Sequence, residues 1–286
     1  VTVEVLRYAA FTTDPQGGNP AGVVLDATGV SADEMARIAK DVGYSETAFL
    51  VPGEGDDMSV RYFSPTAEVP FCGHATIAAA VVHAHLHGVG ELTFHTRAGL
   101  VPVRTTRDKS GRITATLTSV PPRTVAMSDE QLTALLNVLG WKLPDLDPAL
   151  PPRVAYAGAW HPVLAAADRA RLAALDYDMH ELAELMDRHG WVTIDLVWRE
   201  SPEVFHSRNP FPTGGVFEDP ATGAAAAALG GYVRELGLAP LPAQITVRQG
   251  DDMGRPSTIT VTVPEDPETG IAITGTAVAI ESSSAP

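Results

Sequence analysis

Residues 72–86, CGHATIAAAVVHAHL, read as a helix that no surface would tolerate. Its apolar residues run round every side of the 3.6-residue period, so it belongs inside a protein. Residues 222–236, TGAAAAALGGYVREL, have the same character. Both open on a glycine, Gly73 and Gly223, set 150 positions apart. One Ala-rich buried helix is ordinary, but two that start alike suggest a chain built twice on one plan.

Other landmarks recur at nearly the same offset. Ser31–Val42 reads as an amphipathic helix, with Ser31 and Glu34 at capping-box spacing and Gly43 to end it. Asp178–His189 is a second such helix, ended by Gly190, 147 positions after Gly43. Asn19-Pro20 before AGVVL is echoed 142 positions later by His161-Pro162 before VLAA. Strands are predicted after the helix ends, over Thr47–Val51 and Val192–Trp198. Further β-branched, alternating segments lie at Ile113–Val120, Ile245–Arg248, Thr258–Val263 and Ile271–Ile280. A third helix is predicted at Ser128–Leu139, where Ser128 and Gln131 again have capping-box spacing.

The fold class that follows is α+β. Two pseudo-symmetric domains are expected, each a mainly antiparallel sheet around its own central helix. The boundaries fall at 1–121 and 122–273, with a C-terminal strand near 274–286 returning to the first domain.

Composition narrows the function. With 45% hydrophobic and 19% charged residues the chain has enough apolar material to fold. A net charge of −15 repels phosphate backbones, so nucleic acid is not an expected partner. No apolar run reaches the roughly 18 residues of a membrane span. The first residues, VTVEVLRYAAFTTDP, do not read as a signal peptide. A single cysteine cannot form an internal disulfide, which fits a reducing, cytoplasmic location.

The two glycine-led helices suggest the chemistry. A helix start carries unpaired N–H groups and partial positive charge, and glycine lets a ligand come close. If the halves face one another, two such starts would hold a carboxylate and stabilise enolate-like charge. Ser45-Glu46-Thr47 aligns, at the 147 spacing, with Val192-Thr193-Ile194, so Glu46 reads as a carboxylate with no counterpart. It opens an apolar strand, a half-buried setting suited to proton transfer. Asp219, within Glu218-Asp219-Pro220, precedes the second buried helix as a cap or a site group. His74 stands in the first turn of the other helix as a hydrogen-bonding imidazole. His83, His85 and His87 invite a metal-hydrolase reading, but no HExxH pattern is present and they lie at the far helix end from Gly73.

In order along the chain stand GGNPAGVV (17–24), SETAFL (45–50), RYFSP (61–65), FCGHATIAAA (71–80) and EDPATG (218–223). Together they resemble the PhzF phenazine-biosynthesis family of the diaminopimelate-epimerase-like superfamily, from about residue 5 to 280. The resemblance implies two barrel-like domains with the active site between them, a homodimer, and catalysis without metal or organic cofactor. It implies that Glu46 shuttles a proton between carbons of a small carboxylate substrate. His74, Asp219 and Asn19 would position substrate and steer the proton, and amides at Gly73–His74 and Gly223–Ala224 would hold the carboxylate. Ala224 departs from the family pattern, which has Ser there, and this argues against the phenazine substrate itself. The two-cysteine mechanism of diaminopimelate epimerase and proline racemase is excluded, because Cys72 is alone. Hydrolysis of a carbon–carbon bond on the same fold, and non-catalytic anion binding, are the competing expectations.

Overall fold

The computed structural model describes residues 3–281. The chain divides into two compact units, Val1–Thr118 with Thr274–Pro286, and Ser119–Ile273. The division lies three residues before the boundary expected from the sequence. The last five residues of the expected return strand, 282–286, lie outside the described residues.

Unit 1 runs β1 (Leu6–Ala10), β2 (Asn19–Val24), α1 (Ala32–Val42), β3 (Glu46–Pro52), β4 (Asp57–Phe63), β5 (Glu68–Val69), α2 (Gly73–His87), β6 (Glu91–Thr96), β7 (Gly99–Arg107) and β8 (Ile113–Thr118). Unit 2 follows with β9 (Arg123–Ala126), α3 (Asp129–Val138), β10 (Arg153–Tyr156), β11 (Trp160–Ala165), α4 (Arg169–Ala173), α5 (Met179–His189), β12 (Asp195–Ser201), β13 (Val204–Phe211), β14 (Val216–Asp219), α6 (Gly223–Glu235), β15 (Ala243–Gln249) and β16 (Ser257–Val263). Then β17 (Ala272–Gly275) leads back to unit 1, where β18 (Ala277–Ala279) pairs with β1.

The sheets are mainly antiparallel, with parallel pairs set among the antiparallel ones. In unit 1, β2–β3 and β4–β6 are parallel; in unit 2, β11–β12 and β13–β15 are. The helices explain this. Parallel strands need a crossover, and α1, α2, α6 and the α4–α5 pair each lie in the connection between two parallel partners.

Local chemistry sets the helix ends. Ser31 caps α1 by accepting from the Glu34 N–H, and Gly43 closes it at φ 73°, a conformation costly for other residues. The Glu34 carboxylate binds Arg37 on the same helix. At α3 both arms of the Ser128–Gln131 capping box form. Asp178 caps α5, and Gly190 ends it in the same left-handed conformation as Gly43.

The two Ala-rich helices are the centres of their units. From His74 to Val82 every residue of α2 is buried, and α2 packs on β1, β2, β3, β7, β8 and β18. In unit 2, α6 packs on β9, β10, β11 and β16. Its approach is close: a Cβ added to Gly231 would lie 2.5 Å from Pro122 Cβ, and one on Gly230 would lie 2.8 Å from Ile271 Cγ2. Small side chains let these helices sit deep while their backbone amides stay paired. No helix among the described residues is long and apolar enough to cross a membrane.

Candidate active site

In unit 1 three sequence-predicted residues converge. Asn19 is the first residue of β2, Glu46 the first of β3, and His74 the second of α2. Parallel pairing sets Ala21 beside Glu46, so both strands begin at the same end of the sheet. The Asn19 amide lies 3.1 Å from His74 Nδ1. The other ring nitrogen, Nε2, lies 3.5 Å from Glu46 Oε2 and 3.3 Å from Ser45 Oγ. Cys72 Sγ is 3.4 Å from His74 Nδ1 and 3.8 Å from Nε2. Asn19, Cys72 and His74 are buried, whereas the Glu46 side chain keeps 15% exposure. The imidazole is thus held at both nitrogens, and the carboxylate is its solvent-reaching neighbour.

Cys72 makes no side-chain capping bond, so the first amides, Gly73 among them, have no such partner. A Cβ on Gly73 would come no nearer than 4.0 Å to the Phe71 ring edge, so there is space beside the backbone. Further on, Tyr62 Oη and Thr76 Oγ1 bond at 2.6 Å inside the unit and anchor α2 to β4.

In unit 2 the acidic pair splits by role. Glu218 is spent on structure: Arg208 Nε donates to its Oε2 at 2.9 Å, Arg208 Nη2 to its Oε1, and both side chains are buried. Asp219 belongs to the start of α6, where Thr222 Oγ1 donates to its Oδ2 at 2.6 Å. Gln249 clamps the turn, donating to the Asp219 carbonyl at 2.6 Å and to Thr222 Oγ1 at 3.0 Å. Gly223 and Ala224 begin the helix, and Thr222, like Cys72, makes no capping bond.

The expected pairing of Glu46 with Thr193 is wrong. In unit 2, β11 and β12 are parallel and set Val163 beside Asp195, as β2 and β3 set Ala21 beside Glu46. Asp195 therefore holds the place in β12 that Glu46 holds in β3: each is the first residue of its strand. The error came from length. Three positions separate Gly43 from Glu46, but five separate Gly190 from Asp195. Val192–Ile194, expected as strand, instead form a lead-in, with Val192 N–H bonded to the Trp160 carbonyl and Ile194 N–H to the Pro210 carbonyl.

Asp195 anchors a buried polar chain that sequence reasoning missed. Ser207 Oγ donates to Asp195 Oδ1 at 2.6 Å, and Asn209 Nδ2 donates to the same oxygen at 3.1 Å. Asn209 Oδ1 accepts from Thr193 Oγ1 at 2.8 Å, and Thr193 lies 2.8 Å from His161 Nδ1. The threonine hydroxyl has one proton and gives it to Asn209, so His161 Nδ1 carries the other. Asn209 also stands beside Asp219 in the β13–β14 ladder. Asp195 Oδ2 and His161 Nε2, both buried, have no hydrogen-bond partner among the described residues. Burial pushes the Asp195 carboxyl up to about 7 and the His161 imidazole down to about 4, because each resists carrying charge there. The period-2 polar alternation of Thr193, Asp195, Ser207 and Asn209 was the available signal.

His83 and His87 stack at 4.4 Å near the end of α2, and burial lowers the His83 pKa.

Comparison with known proteins fits this architecture. A solved phenazine-biosynthesis protein of the PhzF family from Bacillus anthracis superposes with a TM-score of 0.89 at 27% identity, covering 98% of this chain and 97% of its own. The uncharacterized isomerase YfhB of Bacillus subtilis is 32% identical over 286 residues, 96% of each chain. The trans-2,3-dihydro-3-hydroxyanthranilate isomerase of Pseudomonas chlororaphis is 31% identical over 254 residues, 87% of this chain and 86% of its own. The fold is thus one shared with isomerases. The PhzC-PhzF model, described as phenazine biosynthesis-like protein, matches residues 8–283, and the chain belongs to that family.

Proposed function

We propose that this chain is a cofactor-independent isomerase that moves a proton between carbons of a small carboxylate substrate, with Glu46 as the base. The observation that carries the proposal is the Glu46–His74 contact of 3.5 Å at the start of a buried helix. A partly exposed carboxylate meets, in one place, a held imidazole and backbone amides.

The substrate carboxylate docks on the amides at Gly73–His74. Glu46 takes a proton from the carbon next to an activating group. The developing negative charge is spread onto the helix-start amides, which need no reorganisation to receive it. Protonated Glu46 then returns the proton to a different carbon, and a double bond shifts. His74, held by Asn19, Ser45 and Cys72, orients Glu46 and the substrate. The amides of Gly223 and Ala224 supply a second anion site in unit 2, and Asp219 positions substrate and steers the proton. Ala224 keeps its backbone N–H but offers no hydroxyl, which favours a substrate other than the phenazine intermediate. The reading includes a biosynthetic role in secondary metabolism, a reducing cytoplasmic setting and a homodimer.

The test is solvent-deuterium uptake. The wild-type chain is incubated in heavy water with trans-2,3-dihydro-3-hydroxyanthranilate and a panel of small unsaturated carboxylates. Label should enter a carbon position of at least one of them. Glu46→Gln, of nearly equal size, should slow that uptake by on the order of 10²–10⁴-fold. Uptake undiminished in the variant removes Glu46 from the mechanism, and binding without uptake makes the chain a binder.

A further inference from the structure

We infer that Asp195 and His161 hold one water molecule between them inside unit 2, and that this water takes the place that the His74 imidazole has in unit 1. The two units set matching residues at matching points. His161 lies two residues before Val163, which faces Asp195, as Asn19 lies two before Ala21, which faces Glu46. Ala224 is the second residue of α6, as His74 is of α2. In unit 1 the His74 ring joins the two strand residues, 3.1 Å from the Asn19 amide and 3.5 Å from Glu46 Oε2. In unit 2 the same helix position offers only a methyl group, which neither donates nor accepts. Each of the two strand residues there keeps one atom without a partner among the described residues, His161 Nε2 and Asp195 Oδ2. The two side chains are 0% and 1% exposed.

The protons on this chain of residues fit a single molecule. Asn209 Nδ2 donates to Asp195 Oδ1 and to Ser207 Oγ, and Ser207 Oγ donates to Oδ1 as well. No cationic side chain offsets the Asp195 carboxyl. An ionised carboxylate buried without a counter-charge is costly, so the group keeps a proton. Oδ1 already accepts two bonds, which leaves that proton on Oδ2. At the other end Thr193 gives its proton to Asn209, so His161 carries its own on Nδ1 and shows a lone pair at Nε2. One open end is thus a donor and the other an acceptor, and they do not bond to each other. A water accepts from Asp195 and donates to His161, closing a ring through Asn209 and Thr193. A cation would meet the Oδ2 proton instead of a lone pair. Leaving both atoms unpaired costs more than immobilising one water, and buried waters typically occupy such places. The ring also fixes Asn209, which stands beside Asp219 in the β13–β14 ladder.

Nothing in this depends on the role proposed for Glu46. The test is a crystal structure of the full chain between pH 4 and 7, where Asp195 keeps its proton and His161 is neutral. Structures of Asp195→Asn and His161→Phe accompany it. We expect one isolated density peak about 2.6–3.2 Å from both Asp195 Oδ2 and His161 Nε2. Asp195→Asn keeps an acceptor for Ser207 and Asn209 and places an amide donor at the open end, so the peak should remain. His161→Phe removes the acceptor, and the peak should vanish. If His161→Phe does not fold, the wild-type and Asp195→Asn structures decide alone. No peak, a direct Asp195–His161 hydrogen bond, a peak with the anomalous signal of an ion, or a peak indifferent to His161→Phe overturns the inference.

Discussion

Asp195 and His161 make a pH experiment with a calculable result. Burial holds the Asp195 carboxyl up at about 7 against an ordinary 3.8, so between those values the folded state keeps a proton that the unfolded chain has released. Stability then falls as pH rises, by about 1.4 kcal/mol per pH unit and about 4 kcal/mol in all. His161 runs the other way. Its folded value is about 4 against an ordinary 6.5, so the unfolded chain holds the extra proton and stability rises with pH, by about 3 kcal/mol over that span. Between pH 4 and 6.5 the two contributions nearly cancel. Asp195→Asn removes one of them while keeping an oxygen for Ser207 and Asn209. Relative to wild type, the variant should therefore gain about 4 kcal/mol between pH 4 and 7. Urea unfolding measures this for unit 2 alone, because all four tryptophans, Trp141, Trp160, Trp191 and Trp198, belong to it. Both proteins are compared at each pH, so the other carboxylates drop out. A stability difference that stays constant within about 1 kcal/mol across this range would refute the account of Asp195 as a proton held by burial.

Two substitutions probe what holds the site-bearing elements in place. Glu218→Gln leaves the Arg208 guanidinium buried without its counter-charge, and urea unfolding should show a loss of about 3–5 kcal/mol. Gly231→Ala sets the added methyl against Pro122; overpacking of about 1–3 kcal/mol outweighs the gain of about 1 kcal/mol in helix propensity. Its thermal midpoint should drop, and an unchanged midpoint would mean that α6 can move away from Pro122.

Much of unit 1 was legible because its signals are local. Ser31 and Gly43 act within one helical turn, and the all-apolar run of α2 has one stable home. Glu46 stood out as an acid opening an apolar strand, and the structure sets it beside His74. Unit 2 was read less well because its polar core depends on pairing between distant segments. Counting from Gly190 gave Thr193 the place that the ladder gives to Asp195, since the longer lead-in takes single bonds to Trp160 of β11 and Pro210 of β13 before the regular pairing of β12 begins. Nor does the run Glu218-Asp219 reveal that one carboxylate goes to Arg208 and the other to Thr222.

Synthesis order has a consequence for the unit that bears Glu46. Phe11 N–H bonds to the Thr276 carbonyl at 2.7 Å, and Ala10 of β1 stands between Asn19 of β2 and Ala277 of β18. A ribosome finishes Ser119–Ile273 before it reaches those residues. Until they emerge, β1 is a bare strand edge, open to other nascent chains. Of the two units, the one whose synthesis starts earlier is thus the one completed later.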